Sequence, residues 1–389
     1  MPWKVSYVMN ERMRFVIRLQ DGEKMTDLCR EFGISRKTGY KFWNRFQEYG
    51  PVGLCDESKR PCRRPAEIPE KIIKLIVEFK QKHPTWGPKK LKVVLEGKYN
   101  GVCIPAEVTI YRILDRHGYV KKYRKRRSIP LYTNRLTISE APNDLWCADF
   151  KGQFRLGNRS YCYPLTVSDH FSRYFLGCEG LENTRGIGAR GVFEAVFRNY
   201  GMPGRIRIDN GSPFASKGVA GLSQLSVWWL RLGIAVERIE PGHPEQNGRH
   251  ERLHLTLKQD TTRPPGANFL QQQERFDKFL DEYNYKRPHE ALGMKRPGDI
   301  YLRSTHAYPD ELPELKYPFH DIVRRVAENG SVHLVGNNRR NFYLGKALMG
   351  QTVGLREIEG ERWLVSFMHF DLGYVDEKTL VFDSMDEVG

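Results

Sequence analysis

Two apolar, strand-like runs of this chain each end on a carboxylate. Asp149 closes Leu-Trp-Cys-Ala-Asp-Phe and Asp209 closes Ile-Arg-Ile-Asp-Asn-Gly. A carboxylate in an apolar strand is costly to bury unless hydrogen bonds or a metal satisfy it. Both acids therefore belong at the polar end of a central strand, and such ends gather at one edge of a sheet. A third acid, Glu251, follows in Pro-Glu-Gln-Asn-Gly-Arg-His-Glu, a basic stretch with helical character. On a helix, Asn247, Glu251, His254 and Lys258 share one face, and Leu253 and Leu257 point away toward a core. Three convergent carboxylates make an oxygen-rich cage for Mg²⁺ or Mn²⁺. In a basic chain that points to phosphoryl transfer on nucleic acid.

The excess charge is placed unevenly. The chain has 389 residues and a formal net charge of +16. Residues 1–139 hold 31 Lys and Arg against 14 Asp and Glu, and the remainder is close to neutral. A solvated face would account for charge alone, but so lopsided a distribution reads better as a polyanion-binding region. The length predicts two to four domains. No run approaches the ~18 apolar residues of a membrane span, and Met-Pro-Trp-Lys-Val-Ser is too polar for a signal peptide. The cysteines number 7, with no Cys-x-x-Cys or zinc spacing. Free thiols in a reducing cytoplasm are expected.

Residues 1–55 read as a helix-turn-helix domain. Leu28 and Phe32 have helical spacing, Gly33-Ile34 makes a turn, and Ser35 is an N-cap for a helix from Arg36 to Tyr49. That helix carries Arg36, Lys37, Tyr40, Lys41 and Arg45 beside Phe42, Trp43 and Phe46, so one face packs and the other meets DNA in the major groove. Residues 66–127 read as a second helix-turn-helix domain, with helices over 69–82, 89–95 and 105–117. It ends in a basic linker of Lys121, Lys122, Arg124, Lys125, Arg126 and Arg127, a run suited to tracking phosphates. From 143 to 301 strands and helices alternate. Residues 319–381 switch to short strands with turns at Asn329-Gly330, Asn337-Asn338 and Glu359-Gly360, the pattern of a small all-β barrel.

The motifs then become specific. Trp-Cys-Ala-Asp149-Phe, Ile-Asp209-Asn-Gly-Ser-Pro-Phe-Ala-Ser and Pro244-Glu-Gln-Asn-Gly-Arg-His-Glu251-Arg-Leu-His-Leu-Thr-Leu-Lys258 resemble the DDE transposases of bacterial insertion sequences with a retroviral-integrase-type core. Tyr283-Asn-Tyr-Lys-Arg-Pro-His-Glu-Ala-Leu292 and Pro297 match as well. The resemblance covers roughly 143–301. It implies a ribonuclease H-like α/β core in which Asp149, Asp209 and Glu251 hold two Mg²⁺ ions, with Mn²⁺ as substitute. It also implies DNA contacts from Lys258 near the reacting end, with Asn247 and His254 on the same stripe. The implied activity is cleavage of the 3′ ends of the element and their transfer into target DNA. The implied partners are double-stranded DNA, as terminal inverted repeats and target, and a second copy of the chain, making at least a dimer. Two rival readings remain: a non-catalytic DNA-binding regulator derived from such an enzyme, and a divalent-metal nuclease without strand transfer.

Three alternatives compete inside the motifs. The spacing common in this superfamily leaves 35 residues between the second Asp and the Glu, which lands on Glu245. Glu251 is preferred because the Asn-Gly-x-x-Glu context and the following His and Lys belong to it. Asp169 reads as structural. Gly186-Ile-Gly-Ala-Arg-Gly191 satisfies a dinucleotide-binding pattern, but five residues separate it from the preceding strand, so a helix start is the better account.

Overall fold

The computed structural model describes residues 8–57, 68–120, 136–216, 218–240, 243–334, 340–358 and 361–385. The chain divides into two compact units, 1–68 and 69–389. The predicted basic run, from Lys121, Lys122 and Arg124 to Lys125, Arg126 and Arg127, lies outside the described residues. No described helix is long and apolar enough to cross a membrane.

In the first unit, α1 (Val8–Gln20), α2 (Met25–Glu31) and α3 (Arg36–Tyr49) surround Phe15, Val16, Leu28, Ile34 and Phe42. The Ser35 hydroxyl caps α3 by accepting from the Thr38 amide at 3.2 Å. Gly39 lets α3 approach α2 closely: a Cβ there would stand 2.7 Å from the Cys29 sulfur. Arg36, Lys37, Tyr40 and Lys41 are exposed on α3. Arg45 differs from expectation. Its Nη2 donates to the Cys55 carbonyl at 2.7 Å and pairs with Glu57 at 3.4 Å. It ties down the turn that follows α3 and is not free for DNA.

The second unit opens with α4 (Glu70–Lys82), α5 (Pro88–Lys98) and α6 (Glu107–Arg116), close to the expected ranges. The core sheet follows, from β1 (Leu145–Phe150), β2 (Phe154–Arg155), β3 (Tyr161–Asp169) and β4 (Phe175–Leu181). Helix α7 (Gly186–Tyr200), β5 (Arg205–Ile208), α8 (Gln224–Arg231) and β6 (Ala235–Arg238) complete it. The order is β2-β3-β1-β5-β6, with β4 also on β3. Strand β1 is antiparallel to β3 and parallel to β5. Gly186, Gly188 and Gly191 fall inside α7, as a helix start rather than a phosphate loop.

Both faces of this sheet are covered. Trp146 and Ala148 of β1 join the core made with α7 and α8. Cys147 and Asp149 alternate onto the other face, where α9 (Gly248–Thr261) and α10 (Phe269–Asp281) pack through Leu253, Leu257, Phe276 and Phe279. Asn284, just after α10, exchanges two 2.8 Å hydrogen bonds with the Phe175 backbone. It satisfies an edge strand that would otherwise stay unpaired.

The C-terminal region is all-β. Its strands are β7 (Ile322–Arg325), β8 (Ser331–His333), β9 (Asn341–Tyr343), β10 (Thr352–Ile358), β11 (Arg362–Phe367), β12 (Phe370–Asp376) and β13 (Phe382–Ser384). The expected barrel is an antiparallel sheet ordered β13-β12-β11-β10-β7, with β8 and β9 as a separate hairpin. Among the described residues the sheet does not close, and β7 and β13 are its edges. Val227 and Leu230 of α8 enter its core, so this sheet rests on the catalytic-type sheet unit rather than standing apart.

Candidate active site

Parallel pairing aligns the first two acids. Cys147 of β1 stands opposite Arg207 of β5. Extending that register by two residues sets Asp149 beside Asp209 on strands ~4.8 Å apart. The Asp209 carboxylate accepts from the Gly211 amide at 3.1 Å. A Cβ at Gly211 would stand 2.9 Å from Asp209 Oδ2, so the Asp-Asn-Gly sequence leaves room for the carboxylate.

Glu251 lies exposed in the first turn of α9. It is near enough to act on Asp149. Burial, then the charges of Asp209 and Glu251, push the Asp149 carboxyl up to about 7 against the pull of the Phe150 amide and Lys151. Burial also raises Asp209. Among the described residues no group of three His, Cys, Asp or Glu is close enough to hold a metal ion. The donors are all carboxylate oxygens, the ligand type hard divalent cations prefer, and they suit magnesium better than zinc. The backbone of Glu245 lies in the turn Pro244–Asn247 that leads into α9; its side chain is outside the described residues.

The helical stripe divides. Lys258 is exposed beside Glu251, but Asn247 and His254 are buried. Neither is open to DNA as expected, because α9 rolls that edge of the stripe onto the sheet. His254 instead supports the site. The Thr166 hydroxyl donates to the Asp149 carbonyl at 2.9 Å. Having donated once, it can only accept from the Nε2 atoms of His250 and His254, each at 2.7 Å. That fixes both rings as Nε2–H tautomers. It turns His254 Nδ1 toward Asp149 Oδ2 at 3.7 Å, and His250 Nδ1 accepts from Ser168 at 2.9 Å. Burial lowers His250 to about 3 and His254 to about 2, so both stay neutral.

Sequence reasoning missed Thr166, His250 and Lys151. Burial, then Lys258, lowers the Lys151 ammonium, so two lysines share the rim of the acid cluster. The Asp-Phe-Lys order was the available signal. Asp169 accepts from Asn143, from the Ser172 amide and from the Ser172 hydroxyl, and holds a turn.

Comparison with known proteins follows this architecture. The chain matches the family Integrase core domain over residues 139–244 and again, in a second form, over 232–297. Homeodomain-like domains match over 9–55 and 38–114. The integrase core and homeodomain-like matches, with the insertion-element relatives below, support a DDE transposase of an insertion sequence. It is 24% identical to the insertion element IS407 uncharacterized 31.7 kDa protein of Burkholderia multivorans, across 68% of this chain and 93% of that one. It is 27% identical to the insertion element IS476 uncharacterized 39.2 kDa protein of Xanthomonas euvesicatoria, across 64% and 70%. Among solved structures, the HTLV-2 integrase catalytic core domain in complex with magnesium has 16% identity, covers 42% of this chain and 100% of that chain, and gives a TM-score of 0.32. The transposase therefore joins helix-turn-helix DNA-binding domains to an integrase-type core of the polynucleotidyl transferase family.

Proposed function

We propose that this transposase binds the terminal inverted repeats of its element and carries out 3′-end cleavage and strand transfer at Asp149, Asp209 and Glu251. The observation that carries the reading is the parallel register of β1 and β5, which sets Asp149 beside Asp209, with the Asp149 carboxyl raised by burial and by Asp209. Two acids side by side at one sheet edge are unfavourable for the fold alone and fit a cation-binding centre. The three carboxylates would hold two Mg²⁺ ions, or Mn²⁺, which when bound activate the attacking oxygen and stabilise the leaving one. Glu251 is preferred over Glu245 because the Asn-Gly-x-x-Glu context and the following His254 and Lys258 belong to it.

The chain's own groups have separate tasks. Thr166 holds the Asp149 carbonyl, and His254, itself bonded to Thr166, flanks the Asp149 carboxylate. Lys258 and Lys151 offer positive charge to the phosphate at the rim. In cleavage, water adds to the scissile phosphorus and the 3′ oxygen leaves as a hydroxyl, with a 5′ phosphate on the other strand end. In transfer, that 3′-hydroxyl adds to a target phosphorus and gives its proton to solvent, while the displaced target 3′ oxygen takes a proton from solvent and leaves as a hydroxyl. Repeat binding is assigned to α1–α6 and the basic segment around 121–127, with Arg36, Lys37, Tyr40 and Lys41 nearest the bases. Joining two ends together calls for at least a dimer.

The test combines purified protein, a labelled terminal-repeat duplex and Mg²⁺ or Mn²⁺. Joined products support the proposal. Cuts without joining indicate a nuclease, and binding without cuts a regulator. Activity that survives Asp209→Asn or Glu251→Gln removes the assignment of those ligands. Loss with Glu245→Gln but not with Glu251→Gln transfers the third position to Glu245.

A further inference from the structure

The other flank of α9 lines a second polar cavity. With 100° per residue, Arg249, Arg252 and Thr256 lie on the opposite side of the buried Leu253–Leu257 stripe from Glu251 and Lys258. They face a cavity of about 80 Å³ with Lys90 of α5, Arg173 after β3, and Arg287 and His289 from the segment after α10. A single water needs only ~10–15 Å³ by such a measure, so the space takes a group of several heavy atoms.

The cavity has cations in excess. Arg249 meets the His170 carbonyl at 3.1 Å, and Arg287 pairs with Asp260 at 3.5 Å. Lys90, Arg173 and Arg252 have no ion pair among the described residues. Asp169 is the one acid lining the cavity, and its oxygens are already taken by Asn143 and Ser172. Burial, then Arg287, lowers the Lys90 ammonium to about 8, with Glu290 pulling weakly the other way. Burial, then Lys90, Arg287 and Arg173, lowers His289 to about 3. His289 is 8% exposed, and its Nε2 is buried with no hydrogen-bond partner. Lys90 and Arg173 are half-buried and Arg249 and Arg252 exposed; like charges gathered without a counter-charge are unfavourable, and guanidinium groups around a small concave space suit the oxygens of a phosphate.

We propose that this cavity is a phosphate-binding site, distinct from the carboxylate centre and built where the second helix-turn-helix unit meets the core. The phosphate is either free inorganic anion or a group of bound DNA. In the DNA case the site clamps a backbone or terminal phosphate between α5 and α9 and couples repeat binding to the helix that carries Glu251. That second case rests on the function proposed above; the first does not.

The full-length protein is followed by thermal unfolding without metal, in sodium phosphate against sodium chloride at matched ionic strength and pH. The same measurement is made on Arg252→Gln, Lys90→Met and, as a charge control outside the cavity, Lys278→Gln. A parallel titration measures duplex binding across salt concentrations. Saturable stabilisation of wild type and control by phosphate, weakened about tenfold or more in apparent Kd in both cavity variants, supports a free-anion site. Stabilisation absent everywhere, with duplex binding weakened in both cavity variants and the salt slope reduced by about one, supports the DNA source. Cavity variants that match the control in both arms overturn the proposal. Since neither arm needs metal or turnover, failure of the carboxylate assignment leaves the result readable. Variants that melt early are replaced by Arg252→Lys, which keeps the charge but not the fork and should bind phosphate more weakly than wild type.

Discussion

Asp149→Asn should stabilise the metal-free protein at pH 8 while abolishing its response to Mg²⁺. The wild-type carboxyl is moved from 3.8 to about 7 by burial, Asp209 and Glu251. A folded-state pKa above the unfolded one contributes stability at low pH that is lost as pH rises through about 7. Above that, the ionised group opposes folding. At ~1.4 kcal/mol per unit, the penalty is at most about 4 kcal/mol. The side chain is 21% exposed, and solvent relaxation reduces the effect to about 1–3 kcal/mol. Asparagine keeps an oxygen to accept from the Phe150 amide and removes the charge. Differential scanning calorimetry at pH 8 without metal should show a midpoint higher by several degrees in the variant, at about 2–4 °C per kcal/mol. At pH 5 the gain should shrink, because wild-type Asp149 is then protonated as well. Added Mg²⁺ should raise the wild-type midpoint and leave the variant nearly unchanged. Equal midpoints without metal at pH 8, or equal Mg²⁺ responses, would refute the reasoning.

Three further expectations concern the same neighbourhood. Gly211→Ala drives a Cβ to within 2.9 Å of Asp209 Oδ2; isothermal titration should show Mn²⁺ affinity falling about tenfold while the melting midpoint moves little. Glu237→Gln keeps an acceptor for Arg207, which is 3% exposed, but removes the charge that it meets at 2.7 Å; denaturant unfolding should lose about 3 kcal/mol, and a loss below about 1 kcal/mol would mean that neutral acceptors, with the Thr137 carbonyl, suffice. His170, His250 and His289 are held near 3 and His254 near 2, with burial the leading cause. Depressed histidines contribute stability present above about 6.5 and lost as pH falls toward 3, on the order of 1–2 kcal/mol each by pH 5. The midpoint should therefore drop between pH 7 and pH 5, more steeply in Asp149→Asn, and a flat profile would contradict the buried neutral rings.

Local chemistry was legible wherever one residue type has one good use. Ser35 before a basic amphipathic run marked the start of α3. Apolar runs ending in Asp149 and Asp209 marked the strands β1 and β5, and three glycines inside α7 were read as a helix start because no tight turn preceded them. In the C-terminal region the alternation of strands was plain, but alternation specifies which residues face inward and not whether the last strand meets the first. The open sheet there depends on α8 covering it.

The sequence by itself determined the order of domains, the two aspartates at the ends of neighbouring strands, and the basic face of α3. These follow from periodicity and from the cost of burying charge. Tertiary structure decided which way α9 faces. A helical wheel fixes the angles between Asn247, Glu251, His254 and Lys258, but the roll of the helix is set by Leu253 and Leu257 packing with Cys162 of β3, Phe175 and Cys178 of β4, and Phe276 and Phe279 of α10. That roll buries Asn247 and His254, leaves Glu251 and Lys258 exposed, and turns Arg249 and Arg252 to a cavity on the other flank. In the first unit, Arg45 meets Cys55 and Glu57 in the turn after α3. Contacts of this kind join residues distant in the chain, and no local pattern records them.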